Sequence, residues 1–141
     1  MTRQPGVYRW ADQLTHRPDE QHEAIVERFT AAGVTAGILH DALADGGDAL
    51  HAAATSGADD WANDFGGSLA AALLAAEVSL FSAHLVSRAS AVRALAVESL
   101  LDEYSAVAVA AALGVSRQKV YDIGKGPSSA SFIPTVPWRQ S

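Results

Sequence analysis

The sequence predicts an all-α protein, and three observations support this fold class. Apolar residues recur at intervals of three and four between residues 19 and 123. Most glycines and prolines, which interrupt helices, fall between these stretches. Alanine supplies much of the 49% apolar fraction, which favours close helix packing. We expect four segments: an N-terminal arm (1–18), an acidic helical region (19–87), a three-helix head (88–125) and an extended, proline-containing tail (126–141).

The first helices should follow the arm, which lacks a periodic pattern and contains Pro5, Gly6 and Pro18. Tyr8 and Trp10 are candidates to anchor this arm to the body. Acidic residues after Pro18 favour a helix start. The first helix should end at Ala32-Gly33, and its expected apolar face is Ile25, Val26 and Phe29. The second helix should begin after its cap, Thr35, and end at Asp45-Gly46-Gly47, with the apolar face Ile38, Leu39, Ala42 and Leu43. A short helix at Ala49–Ala54 should follow it.

An acidic cluster follows the short helix and raises the question of a metal site. Its spacing matches no defensible ligand pattern. We expect instead an acidic helix start, with two aromatic side chains facing the core, and no metal or cofactor. The residues concerned are Asp59, Asp60 and Asp64, with His51 upstream, and the aromatic pair Trp61 and Phe65.

The longest apolar run, Ser68–Val86, is long enough to span a membrane. Glu77 and His84 lie within it, and ionisable side chains are costly in lipid. We therefore expect no membrane span. A helix that is apolar on most sides is buried in a core or an oligomer interface. We favour a homodimer interface because so small a chain has few other elements to cover this helix.

The same run raises two further expectations. Glu77 and His84 are one heptad apart, so they could form a buried polar pair that specifies register. The stretch Ser87–Ser90 is a plausible break, after which Arg88–Tyr104 would form a separate helix, the first of the head.

Charge divides the chain into two parts. Residues 1–87 hold 4 basic and 12 acidic side chains, and residues 88–141 hold 6 basic and 4 acidic ones, consistent with the net charge of −6. A mildly basic C-terminal part thus follows an acidic one. The chain has no cysteine, which fits a cytoplasmic location, and no apolar run that would make its N-terminus a signal peptide.

Motifs typical of enzymes are absent from the sequence. It contains no glycine-rich phosphate loop, no HExxH and no GxSxG, and its five histidines are scattered. We therefore expect a protein that is not an enzyme. If the protein were an enzyme, its active site would lie among the aspartates of the acidic cluster and His51.

The stretch Ser105–Lys125 reads SAVAVAAALGVSRQKVYDIGK and has the most specific pattern in the chain. It predicts one helix over Ala106–Leu113 and a second over Arg117–Ile123. Gly114 suits a left-handed turn between them, and Ser116 suits the N-cap of the second helix. The shared core should contain Val109, Leu113, Val115, Val120 and Ile123, with Ala110 at the close approach.

This stretch resembles the tail helix-turn-helix of resolvase-like and homeodomain-like bacterial DNA-binding proteins. The resemblance implies a second helix that enters the major groove. It places base contacts on Ser116, Arg117, Gln118 and Tyr121, and phosphate contacts on Lys119 and Lys125. Arg117 or Lys119 would be the candidate for guanine and Gln118 for adenine. Asp122 departs from a uniformly basic helix, and it could either accept a hydrogen bond from cytosine or pair with a neighbouring lysine.

The expected function is that of a dimeric bacterial transcriptional regulator that binds double-stranded DNA in a sequence-specific manner. The alternative is a helical adaptor or antitoxin-like protein that acts through protein–protein contacts of Ser68–Val86. The charge distribution suits the first function, because an acidic body would repel DNA and orient the molecule on a duplex. Few phosphates could be neutralised, so non-specific affinity should be modest.

Overall fold

The computed structural model describes residues 8–125, and all regular structure in that range is helical, which confirms the all-α class. Residues 1–7 of the predicted arm and the predicted tail (126–141) lie outside the described residues. Contacts divide the described chain into two compact units, residues 8–83 and 84–125. The helices are α1 (Trp10–Gln13), α2 (His22–Ala31), α3 (Ala36–Ala44), α4 (Asp48–Ala54), α5 (Ser68–Glu103), α6 (Ala106–Leu113) and α7 (Arg117–Gly124), with 3₁₀ turns at Asp19–Gln21 and Trp61–Phe65.

The predicted break at Ser87–Ser90 is wrong, because α5 continues through it as one helix of 36 residues. No glycine or proline occurs between residues 68 and 103, and the residues around the expected break are serine, alanine and arginine. Serine lowers helix propensity only slightly, whereas alanine and arginine are good helix formers. Serines alone therefore do not end a helix that has apolar contacts at both ends.

The ends of α3 and α4 follow the local signals in the sequence. The Thr35 hydroxyl accepts a hydrogen bond from the Ile38 amide at 3.2 Å, which confirms the predicted cap of α3. The Asp45 carboxylate accepts from the amides of Gly47 (2.8 Å) and Ala49 (3.2 Å) at the start of α4. Gly47 has a φ of 84°, a left-handed conformation that costs other residues about 1 kcal/mol.

The core of the first unit contains most of the apolar positions predicted for α2 and α3. It also includes residues of the N-terminal arm, since Leu14 is fully buried. Trp10 stacks on Phe29 with ring centroids 5.9 Å apart, and Tyr8 stacks on His40 at 3.9 Å, so both aromatic residues anchor the arm as predicted. The buried residues that line this core include Ile25, Phe29, Val34, Leu39, Leu43, Leu74 and Phe81.

Glu77 is the buried charge of α5, and its partners lie about sixty residues away in sequence. Arg17 donates to both carboxylate oxygens, from Nε at 2.9 Å and from its terminal nitrogen at 2.8 Å. The His16 Nε2–H donates to Oε2, and its ring meets Phe81 edge-on. The predicted pairing of Glu77 with His84 is therefore replaced by pairing with the arm, which lies against the buried side of α5.

The electrostatic balance at Glu77 favours the ionised carboxylate. Burial raises the pKa of Glu77, but the hydrogen bonds from Arg17 and His16, together with their charges, outweigh that effect and lower the pKa to about 2. Glu77 is 2% exposed, so removing its carboxylate would leave the hydrogen-bond donors of Arg17 and His16 without their acceptor inside the unit.

We predict that Glu77→Gln lowers the free energy of unfolding at neutral pH by about 3–5 kcal/mol, because it breaks a buried ion pair. Since pairing lowers the folded-state pKa, this contribution is complete above the unfolded-state pKa of about 4.3. It is then lost as the pH falls towards 2. Urea unfolding followed by circular dichroism at a series of pH values measures the difference between wild type and variant.

The matched control for this experiment is Glu23→Gln, which removes an exposed carboxylate from α2. It should change stability by no more than about 0.5 kcal/mol. A difference between wild type and Glu77→Gln that stays constant down to the lowest pH would contradict a role for the ionised carboxylate.

Candidate nucleic-acid interface

Helices α6 and α7 begin and end where the sequence signals them, apart from one extra residue at the end of α7. The Ser105 hydroxyl accepts from the Ala108 amide at 3.1 Å, and the Ser116 hydroxyl accepts from the Lys119 amide at 3.0 Å. Gly114 ends α6 with a φ of 70°. The Val115 amide then donates to the Ala110 carbonyl at 3.0 Å, which closes the turn between the helices.

The second unit has its own small core, to which α5, α6 and α7 all contribute. Val97 of α5 meets Val109 and Ala110 of α6 and Val120 and Ile123 of α7, and all five are buried. Three partly buried side chains pack against this cluster, namely Leu100, Leu101 and Val115. The end of α5 and the two short helices therefore share one core.

Leu113 does not belong to this core, contrary to prediction, since it is 43% exposed. It is the last residue of α6, directly before the left-handed Gly114. The turn after it brings Val115 against the core cluster, as predicted for that residue. Ala110 is buried, as predicted for the position of close approach.

The predicted DNA-contacting residues of the second unit are all exposed. They are Ser116, Arg117, Gln118, Lys119, Tyr121 and Lys125. At 3.6 residues per turn, Gln118 and Lys125 lie opposite the buried pair Val120 and Ile123. Arg117 and Lys119 then lie on opposite flanks of α7, and Ser116 is held at its start by the capping hydrogen bond.

A hydrogen bond on α7 links two residues that the sequence analysis treated separately. The Gln118 amide nitrogen donates to an Asp122 carboxylate oxygen at 3.1 Å, one helical turn away. The glutamine–aspartate spacing of four residues on one helix face is the pattern that would have indicated it. Asp122 is therefore part of the site, and its partner on α7 is Gln118 rather than a neighbouring lysine.

The distribution of charge concentrates cations on α7. Residues 84–125 contain five basic and four acidic side chains, and three of the basic ones are on or directly after α7. Helix α6 contains only alanine, valine and leucine, so its side chains offer no charge to a phosphate. Glu98 and Asp102 of α5 line a shallow hollow with Tyr121 and Lys125, so two carboxylates partly offset the charge that Lys125 offers to an anion.

The acidic cluster of the first unit has no ligand geometry. Asp59, Asp60 and Asp64 are exposed, as is His51. Among residues 8–125, no group of three or more histidine, aspartate or glutamate side chains is arranged to hold a metal ion. By length and composition alone, α5 is the single membrane-span candidate in the same range, and a core helix meets the same criteria.

Comparisons with known proteins identify no relative of this chain. No protein-family model matches the sequence. No curated protein and no solved structure gives a significant match. A functional assignment must therefore rest on the residues and geometry described above.

Proposed function

We propose that the protein binds double-stranded DNA in a sequence-specific manner, with α7 in the major groove, and acts as a dimeric bacterial transcriptional regulator. The observation that carries this proposal is the division of α7 into two faces. Val120 and Ile123 anchor one face in the core, and the other presents exposed polar and cationic side chains. Such a regulator would act in the cytoplasm, where the absence of cysteine is unremarkable.

The position of each side chain on α7 suggests its role. Residues at the start of a recognition helix meet base edges, which assigns Arg117 and Gln118 to base contacts. Arginine suits guanine and glutamine suits adenine, because each can form two hydrogen bonds to that base. Lys119, on one flank of α7, and Lys125, directly after its last residue, are the candidates for phosphate contacts. Tyr121, which is 46% exposed, can add an apolar contact to a thymine methyl group.

The hydrogen bond between Gln118 and Asp122 strengthens the assignment to adenine. A carboxylate only accepts hydrogen bonds, so it must face the amide nitrogen of Gln118 rather than the amide oxygen. One amide hydrogen is thereby occupied. The second hydrogen and the oxygen stay available as the donor and acceptor that match adenine N7 and N6. Asp122 would thus position Gln118, a role that the resemblance alone does not suggest.

The charges also predict the strength of binding. Each head offers two cations, Lys119 and Lys125, to phosphates, so two heads would neutralise about four, and the affinity should fall with a log–log salt slope of about −4. The acidic first unit opposes non-specific association.

We predict that Gln118→Ala costs about 1–3 kcal/mol at one base position and relaxes the preference there, because it removes a bidentate base contact. Lys119→Ala should weaken binding about equally on all sequences and reduce the salt slope, because it removes a phosphate contact. Selection of bound sequences from random DNA gives the site, and fluorescence anisotropy in a salt series gives the affinities.

The control is Ser99→Ala, which changes an exposed residue of α5. It should leave both affinity and base preference unchanged. If Gln118→Ala weakened binding to the selected site and to random DNA by the same factor, the assignment of Gln118 to a base contact would be wrong.

We predict a different pattern for Asp122→Asn. An asparagine can donate as well as accept, so it no longer fixes the orientation of the Gln118 amide. The preference for adenine should broaden, while overall affinity rises because a negative charge near the phosphates is removed. The same sequence selection measures the first effect and anisotropy the second. A rise in affinity with an unchanged adenine preference would show that Asp122 acts only through its charge.

A second candidate function, a helical adaptor or antitoxin-like protein, is supported by the exposed apolar side chains of Ser68–Val86. A gel shift in a salt series separates the two functions. A protein that retards no duplex even at the lowest ionic strength would exclude DNA binding and favour the adaptor.

A further inference from the structure

The outward face at the start of α5 carries no charge. Leu69 is 66% exposed and Leu80 is 45% exposed, and both lie on this uncharged face. Between them and just beyond them lie three exposed alanines, Ala72, Ala76 and Ala83. Glu77 does not interrupt this face, because its carboxylate is buried against Arg17 and His16. We call these five exposed residues the α5 stripe.

The positions of the α5 stripe are symmetric about Ala76. Leu69 and Ala83 are each seven residues from it, and Ala72 and Leu80 are each four residues from it. Offsets of four and seven lie on one face of a helix, so all five side chains point the same way. Reversing the direction of the helix about Ala76 leaves the spacing unchanged.

The sizes of the side chains are complementary under that reversal. An antiparallel second copy, related by a two-fold axis at Ala76, would place Leu69 opposite Ala83 and Leu80 opposite Ala72. Each large side chain then meets a small one, and Ala76 meets Ala76, so the helices can approach closely. This self-complementarity is the requirement for a two-fold interface, in which both copies use the same surface.

Charge confines the contact between two copies to the α5 stripe. Residues 8–83 contain twelve acidic and three basic side chains, so two such units repel each other over most of their surface. The α5 stripe is a region where they can meet without opposing carboxylates. A basic partner protein would be drawn to the acidic surface instead, and the stripe offers no cation to a lipid headgroup.

We infer that the α5 stripe is a homodimer interface in which two α5 helices pack antiparallel about Ala76. The interface does not depend on DNA binding, so either can fail without the other. Its buried residues are apolar, and the acidic surfaces around it repel. Dimerisation should therefore strengthen as salt is added, whereas DNA binding should weaken.

The first test is the oligomeric state of the full chain by sedimentation equilibrium at low and high salt. The wild type should approach twice the chain mass of 14.7 kDa as concentration rises, with tighter association at high salt. Ala76→Glu places two carboxylates together at the axis and should remain monomeric with unchanged helix content. Ser82→Glu, an exposed change on α5 outside the stripe, is the matched control and should still dimerise.

The second test determines the direction of the helices and uses the absence of cysteine from the chain. Ala76→Cys should oxidise to a covalent dimer. Leu69→Cys mixed with Ala83→Cys should give the mixed dimer in preference to either self-linked product, because those residues face each other across an antiparallel pair. These variants also retain an apolar stripe, so they test the interface without a buried charge.

Three results would overturn the inference. The wild type could remain monomeric at every concentration and salt. Leu69→Cys could link mainly to itself, which would indicate a parallel pair. The wild type could float with neutral phosphatidylcholine vesicles while Ala76→Glu does not, which would assign the stripe to a membrane surface.

Discussion

The pairing of Glu77 with Arg17 and His16 is the interaction on which the role of α5 depends. A carboxylate on the buried side of this helix, such as that of Glu77, is costly unless it has hydrogen-bond donors and an opposite charge beside it. Arg17 and His16 donate hydrogen bonds to this carboxylate, and these bonds hold the N-terminal segment against the helix. The outward side is left without charge through residue 83. One pairing thus stabilises the first unit and defines the face that we assign to a second copy.

The second unit relies on a smaller constraint. Helix α7 has eight residues, too few to be stable alone, so its conformation depends on Val120 and Ile123 packing on Val97. Because only two residues anchor it, most of its remaining side chains are left for solvent. The serine cap fixes where the helix starts, and the glycine fixes the turn before it. The register of Arg117 and Gln118 is therefore set by packing rather than by their own contacts.

Local features could be predicted from the sequence, and distant ones could not. Thr35, Gly114 and Ser116 act through residues within four positions, and each helix boundary that they mark was predicted to within one residue. The break at Ser87–Ser90 was wrong, because serine weakens a helix locally while the contacts that sustain it are tertiary. The partners of Glu77 were missed because they lie about sixty residues away, and no periodic pattern connects positions on different helices. The predicted burial of Leu113 was wrong because helical spacing alone does not show whether another element covers the last residue of α6.

The distribution of charge links the two proposals. Three cations per head would give weak contact with a duplex, and the acidic first unit would weaken it further. A regulator built this way gains little from non-specific attraction, so its affinity for a site must come from base contacts and from the simultaneous engagement of two heads. A second head bound to the same chain pair acts at a high effective concentration, which can raise affinity by orders of magnitude without a new contact. Added salt would tighten dimerisation and weaken the binding of the heads to phosphates. The protein would therefore stay dimeric at higher salt, where non-specific binding is weak and specificity is greatest. In this scheme dimerisation through the α5 stripe would raise the affinity of α7 for a site, whereas the fold of α7 and its base contacts would not depend on the stripe.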